Sequence, residues 1–289
     1  MTSRSLTIII VSYNGEFWLK KTLQTLDEFY RQKTATQVKT VVVDNGSSDD
    51  ITGMIKNDFP WVHLLASPTN LGFAGANNLA LFECDSDFVM LLNPDTQLDE
   101  RSRLDHLLDQ LESHPEWGMI GPRLVMTDGQ LDPACHRGEP TLWASFCYFA
   151  RLEKLFPRLK FFAGYHRHDL DLTTCHPVDA ISGAATIVSR TALTDVGPLD
   201  ANFFLYGEDL DWCRRFREAG YQVVYDPAVT IIHHKHKTGI ANKDAAISGQ
   251  SKIYFYDTML QYFDKYQAEH YPRFIRTLLS WVILWKKVT

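Results

Sequence analysis

The chain has 289 residues, 45% of them hydrophobic and 22% charged, which supports a large buried core and excludes disorder as the main state. A formal net charge of -6 argues against a nucleic-acid partner held through phosphates, but not against a nucleotide-sized ligand whose charge a metal ion offsets. Cys84, Cys135, Cys147, Cys175 and Cys213 are odd in number and scattered without a C-x-x-C pair, which suits a reducing cytosol better than a disulfide framework or a structural zinc site.

Residues 6–11 are apolar and rich in β-branched side chains, which predicts a buried strand; the run is too short for a signal-peptide core. Residues 17–30 have helical spacing, with Leu19, Leu23 and Leu26 on one side. A second strand at 38–43 ends in Asp44-Asn45-Gly46-Ser47-Ser48. A helix at 51–57, a short strand at 62–65, a helix at 74–82 and a strand at 88–92 follow, the last ending in Asn93-Pro94-Asp95. This alternation predicts an α/β fold, with a mostly parallel, Rossmann-like central sheet and helices on both faces. In such sheets ligands collect at the carboxyl ends of the strands, where Ser12-Tyr13-Asn14, Asp44-Asn45 and Asn93-Pro94-Asp95 all lie.

From 128 to 176 the pattern weakens into an aromatic-rich insertion with several Arg, Lys and His residues, read either as an acceptor-side flap or as a small apolar sub-core. Regular structure returns with a strand at 184–189, a helix at 208–219 and strands at 222–225 and 229–232. The main domain is expected over 1–240, followed by a helical extension over 241–289.

Four clusters can carry chemistry. Asp44 can accept hydrogen bonds from a base or ribose, or simply hold a turn. Asp95, behind the stiff Pro94, offers an oxygen ligand to a hard divalent cation; an Asx-Pro turn is the alternative. Gly207-Glu208-Asp209-Leu210-Asp211 places three carboxylates at the start of an amphipathic helix. They suit the helix dipole, while their mutual repulsion can raise one pKa towards that of a general base. His233 and His234 point to opposite faces of a strand end, so one of them can complete a metal site. The other, with Lys235 and His236, reads as a surface loop.

Together and in this order, the segments resemble family 2 glycosyltransferases of GT-A fold. The likeness runs through Val11-Ser12-Tyr13-Asn14-Gly15, the segment from Val41 to Asp49, Asn70-Leu71-Gly72-Phe73-Ala74-Gly75-Ala76-Asn77-Asn78, Leu92-Asn93-Pro94-Asp95-Thr96 and Gly207-Glu208-Asp209-Leu210-Asp211. The Asn-Pro-Asp form and the Asn70–Asn78 segment are most similar to the dTDP-rhamnosyltransferase-like branch. The resemblance implies that Val11, Ser12, Tyr13 and Asn14 border the nucleotide, with Tyr13 on the base and Asp44 on its imide edge. Asn77 and Asn78 would line the same pocket. Asn93 replaces the first Asp of the family's D-x-D motif. Asp95 would bind Mg²⁺ or Mn²⁺ with help from His233, and Asp209 would be the general base. The Gln-x-x-Arg-Trp motif of processive synthases is missing after Asp209, which implies one sugar per acceptor.

The implied activity is inverting transfer from a dTDP- or UDP-sugar, with L-rhamnose the leading sugar. The acceptor would be a hydroxyl of a glycan or lipid-linked saccharide in cell-surface polysaccharide biosynthesis. A UDP-hexose transferase and a nucleotide-sugar-binding protein without catalysis are the alternatives. A dinucleotide oxidoreductase is disfavoured because Ser12-Tyr13-Asn14-Gly15 stands where G-x-G-x-x-G would be needed.

The tail after Glu269 carries Arg273, Arg276, Lys286 and Lys287, no acid, and the apolar Trp281 and Trp285. As a helix it predicts peripheral contact with the inner face of the cell membrane, or packing on the core or in a homodimer. No uncharged stretch approaches the ~18 residues of a membrane span, so the expected location is the cytoplasm or its membrane surface.

Overall fold

Leu6, Ile8, Ile9 and Ile10 are fully buried, as an apolar strand covered on both faces requires. They belong to β1 (Ser5–Ser12), in a computed structural model that describes residues 4–235 and 245–288. The later strands are β2 (Gln37–Asn45), β3 (His63–Ser67), β4 (Phe88–Leu92), β5 (Thr96–Gln97), β6 (Trp117–Val125), β7 (His176–Val178), β8 (Ala185–Ser189) and β9 (Gln222–His233). They form one sheet in the order β3-β2-β1-β4-β8-β6-β9-β5, with β7 on β9. The ladders β1/β2, β1/β4, β2/β3 and β6/β9 are parallel, and β4/β8, β6/β8, β5/β9 and β7/β9 are antiparallel. The expected α/β architecture is therefore present, and the antiparallel joins let β8 and β9 bring distant segments beside β4.

The helices that cover the sheet are α1 (Glu16–Leu26), α2 (Ile51–Asp58), α3 (Gly72–Phe82), α4 (Leu104–Ser113), α5 (Leu142–Phe149), α6 (Leu152–Leu155), α7 (Arg190–Val196) and α8 (Glu208–Glu218). Leu19, Leu23 and Leu26 of α1 are fully buried, the face that the sequence spacing assigned to the core. Strand β6 was not expected. Gly118, Gly121 and Pro122 interrupt its apolar pattern, and each has a tertiary reason. A Cβ on Gly118 would lie 2.7 Å from the Phe216 ring, and one on Gly121 2.9 Å from Ile181. Pro122 sits where the β6/β9 register shifts. The two expected strands at 222–225 and 229–232 are one strand, β9, which passes through the same irregularity.

In the insertion, Trp143 packs on Phe161 (4.8 Å between ring centroids) and Phe156 on Phe162 (4.9 Å), while much of this aromatic surface remains exposed. The extension forms a hairpin of α9 (Ala245–Tyr266) and α10 (Arg273–Val288). Residue 240, the expected domain boundary, and His236 lie outside the described residues. Helix α10 turns Ile283 inwards, and its Arg276 and Lys287 pair with Asp264 and Asp257 of α9. Its Phe274, Leu278, Trp281, Val282 and Trp285 form an exposed apolar stripe. No helix among the described residues is long and apolar enough to cross a membrane.

Candidate active site

The carboxyl ends of β1 and β2 are tied together by short polar loops. Asn14, at φ 50°, donates its N–H to Ser47 Oγ (3.0 Å), and its Oδ1 accepts from the Ser48 N–H (2.7 Å). Asp44 is buried and its Oδ1 accepts from the Ser47 N–H at 3.0 Å. Ser12 is fully buried, and its Oγ has no hydrogen-bond partner among the described residues. Val11 is buried beneath this edge, whereas Tyr13 is 49% exposed and stands free to meet a planar ligand. Five of the residues expected at a nucleotide therefore lie at one edge.

Asn77 and Asn78 are placed differently. Asn77 Nδ2 donates to the Phe73 carbonyl in its own helix (2.9 Å). Asn78 makes a two-way clasp with the Leu199 backbone, Nδ2 to O at 2.8 Å and N–H to Oδ1 at 3.1 Å. Both amides anchor α3 rather than presenting themselves at the strand ends. Asn45 does the neighbouring work, bonding to Asn70, Gly72 and the Leu71 N–H. Gly72 is needed there: at φ +75° its Cβ would meet the Phe204 carbonyl at 2.3 Å.

A chain of ionisable groups runs from β4 to β9. Asp95 is held by the turn after β4, where Thr22 Oγ1 donates to the Pro94 and Thr96 carbonyls (2.7 and 2.6 Å). His233, at the end of β9, places Nε2 3.4 Å from Asp95 Oδ1 and Nδ1 2.9 Å from Asp132 Oδ2. Asp132 Oδ1 in turn accepts from Lys235 Nζ at 2.6 Å. Burial lowers the His233 pKa, but the flanking carboxylates of Asp132 and Asp95 outweigh it and raise it to about 9. Burial raises that of Asp132, but His233 and Lys235 more than reverse this and hold the carboxyl well below the usual range.

This donor set fits a divalent cation. Two ligands at about 2.1 Å from one ion stand about 3 Å apart at a right angle, close to the Asp95–His233 separation. A ring nitrogen fixed by a buried carboxylate is the usual support for a ligating histidine. Asn93, two residues before Asp95, has a buried Oδ1 without a hydrogen-bond partner among the described residues. His233 faces Asp95, whereas His234 turns its ring to Gln97 and Trp18.

Asp209, in the first turn of α8, is part-buried. Its Oδ1 accepts from the Leu210 N–H at 2.8 Å, and its Oδ2 from Arg137 Nη2 at 2.5 Å and the Gly183 N–H at 3.3 Å. Arg137 Nη2 also donates to the Ile181 carbonyl at 2.9 Å. Burial would lower the Arg137 pKa; Asp209 reverses this, so the guanidinium stays charged. Glu208 is buried, and desolvation followed by repulsion from Asp209 raises its pKa. Sequence reading missed both Asp132 and Arg137, which fall in the stretch read as an insertion. Asp132-Pro133 at the start of a short helical turn was the one local signal available for Asp132.

Residues 7–172 match the sequence profile of Glycosyl transferase family 2. The chain belongs to this family. The transferase is 31% identical over 246 residues to N-acetylglucosaminyl-diphospho-decaprenol L-rhamnosyltransferase of Mycobacterium tuberculosis, covering 81% of this chain and 78% of the relative. It is 26% identical to low-salt glycan biosynthesis hexosyltransferase Agl10 of Haloferax volcanii, over 80% of this chain and 67% of that protein. Among solved structures it is similar to mannosyltransferase PcManGT from Pyrobaculum calidifontis in complex with GDP-Man and Mn²⁺. That match has a TM-score of 0.61 at 17% identity and covers 94% of this chain and 66% of the other. GalNAc-T7 with UDP, GalNAc and Mn²⁺ follows at TM-score 0.59 and 14% identity, over 80% and 44%. These likenesses establish the GT-A fold, and with the sequence match the rhamnosyltransferase-like branch of the family.

Proposed function

We propose that the transferase moves a single L-rhamnosyl group from dTDP-rhamnose to a hydroxyl of a lipid-linked saccharide, with inversion and with Mg²⁺ or Mn²⁺ as cofactor. The observation that carries this reading is the Asp95–His233 pair, backed by Asp132, at the same strand ends as Asp44 and Ser12. The similarity to a decaprenol-linked rhamnosyltransferase supports the sugar and the acceptor class.

Asp95 and His233 would hold the cation, which supplies positive charge to the departing diphosphate. Asp44 would accept the imide N–H of thymine or uracil, a donor that adenine lacks because its N1 is an acceptor. Tyr13 would cover the base. Asp209 would take the proton from the acceptor hydroxyl as it attacks the anomeric carbon from the opposite face. Arg137 and the Gly183 N–H fix the direction in which that carboxylate points. Asn77 and Asn78 would shape the pocket by positioning α3.

Helix α10 supports a membrane-side acceptor. Its exposed stripe, with Trp281 and Trp285, has the composition of an interfacial helix, and we place it on the inner leaflet. A donor screen tests the central reading: thermal shift with dTDP-, UDP- and GDP-sugars, each with and without Mn²⁺. Stabilisation by dTDP-rhamnose with Mn²⁺ of about 2.7 kcal/mol at 100 times Kd is expected. Stronger stabilisation by GDP-sugars overturns the base assignment.

A further inference from the structure

The insertion holds a second group of ligating side chains that sugar transfer does not use. Glu153 of α6, His166 and His168 each offer one ligand atom, and the three atoms lie within 4.8 Å of one another. Glu153 is only 3% exposed, although it sits on a short helical turn in a surface insertion. Its Oε1 is 2.8 Å from His166 Nδ1, while Oε2 is buried with no hydrogen-bond partner among the described residues. Leaving a carboxylate oxygen buried and unmet is costly. Arg167, next to His166 in the chain, is engaged instead by a two-point contact with Asp169 at 2.9 and 3.1 Å. The rings of His166 and His168 are 5.7 Å apart between centroids, close enough to face one ion.

We propose that Glu153, His166 and His168 form a structural site for a divalent transition-metal ion that clasps the insertion, with Zn²⁺ the ion its donors fit best. Two imidazoles and one carboxylate are a borderline donor set that favours zinc, cobalt or nickel over the oxygen-seeking magnesium and calcium. A simple Glu153–His166 pair would leave Oε2 unmet and give His168 no part. The ion uses all three groups and closes the chain between α6 and residue 168. The clasp also stands near the transfer chemistry: the carbonyl of Tyr165, next to His166, accepts the N–H of Gly138, next to Arg137, at 2.7 Å.

Tag-free full-length protein and its His168→Ala variant separate this site from the one at Asp95. His168 is exposed, so the substitution spares the packing. After chelator treatment, each protein is titrated with Co²⁺ and then Zn²⁺, and bound metal is measured by elemental analysis and visible absorption. The native protein is expected to bind one equivalent more than His168→Ala, and Zn²⁺ to slow tryptic cleavage between residues 151 and 167 in the native protein alone. Glu153→Gln is expected to lose the same equivalent. Equal stoichiometry in native and His168→Ala proteins, or no binding of either ion by the native protein, overturns the proposal.

Discussion

Asp209 and Arg137 form a part-buried ion pair, Oδ2 to Nη2 at 2.5 Å, between residues 72 positions apart in the chain. The same Nη2 reaches the Ile181 carbonyl, so one guanidinium ties α8 to the segment before β8. Removing one partner of such a pair costs about 3–5 kcal/mol, mostly by stranding the other charge. Arg137→Met is therefore expected to lower Tm by roughly 6–12 °C, taking the lower end of that range at ~2–4 °C per kcal/mol for a chain of this size. Arg137→Lys keeps the charge but not the fork, and is expected to fall between the two. A melting curve of Arg137→Met that matches the parent would remove the pair from the account of this site.

Asp132 does not reach the proposed cation; it holds His233 by Nδ1. Partners in that position typically change metal affinity 10–100-fold when lost. Calorimetry with Mn²⁺ and a nucleoside diphosphate should show Asp132→Asn weakened to about that extent and Asp95→Asn without metal-dependent binding. Affinity at the parent level in Asp95→Asn would refute the metal assignment.

Much of this was legible in advance, for a physical reason. Strands β1 and β4 and the second half of β2 are buried on both faces, so their sequences are largely apolar runs, and the polar residues that end them mark the ligand edge. Strand β6 was hidden because Gly118, Gly121 and Pro122 answer to Phe216, Ile181 and a register shift, none of them local. Asp132 and Arg137 acquire their roles across 101 and 72 residues, from His233 and Asp209. No spacing rule along the chain encodes such contacts. The tail's sequence shows four cations and no acid, but not that two of them pair with Asp257 and Asp264 of the preceding helix.

If Asp209 is the base, Asp209→Asn keeps the shape of the site and loses the proton acceptor. Donor affinity should be unchanged and turnover lower by ~10²–10⁴. Donor binding by calorimetry and single-turnover transfer measure the two separately. Near-parental turnover would move the role to another carboxylate of the same helix start.

Glu208 gives a pH signature. Burial, then repulsion from Asp209, raises its pKa from 4.5 to about 8 in the folded protein. Between those values the native state binds a proton that the unfolded chain has released, so this group makes stability fall as pH rises. Well above the native pKa both states are ionised and the loss is complete. Glu208→Gln cannot ionise, so its stability curve should be flatter between pH 5 and 8, with the gain over the parent growing with pH. A constant difference between the two denaturation curves across that range would rule out the raised pKa.

The last expectation concerns α10. An interfacial helix needs an apolar face towards lipid, and here Phe274, Leu278, Trp281, Val282 and Trp285 provide one, with Trp281 72% and Trp285 61% exposed. Because Arg276 and Lys287 are paired within the hairpin, only Arg273 and Lys286 lack an ion pair among the described residues. Each such cation near an anionic surface contributes ~1 kcal/mol, so apolar insertion and not charge should dominate. Flotation of the full-length protein with anionic vesicles should therefore recover it with lipid at low salt and retain most of it at high salt. Trp281→Ser with Trp285→Ser should shift it to the soluble fraction without changing its melting temperature, because neither ring is buried in the fold. If the parent stays in the soluble fraction at low salt, the stripe does not meet lipid. Concentration-dependent dimerisation of the parent, abolished by the same two substitutions, would then assign it to a second copy.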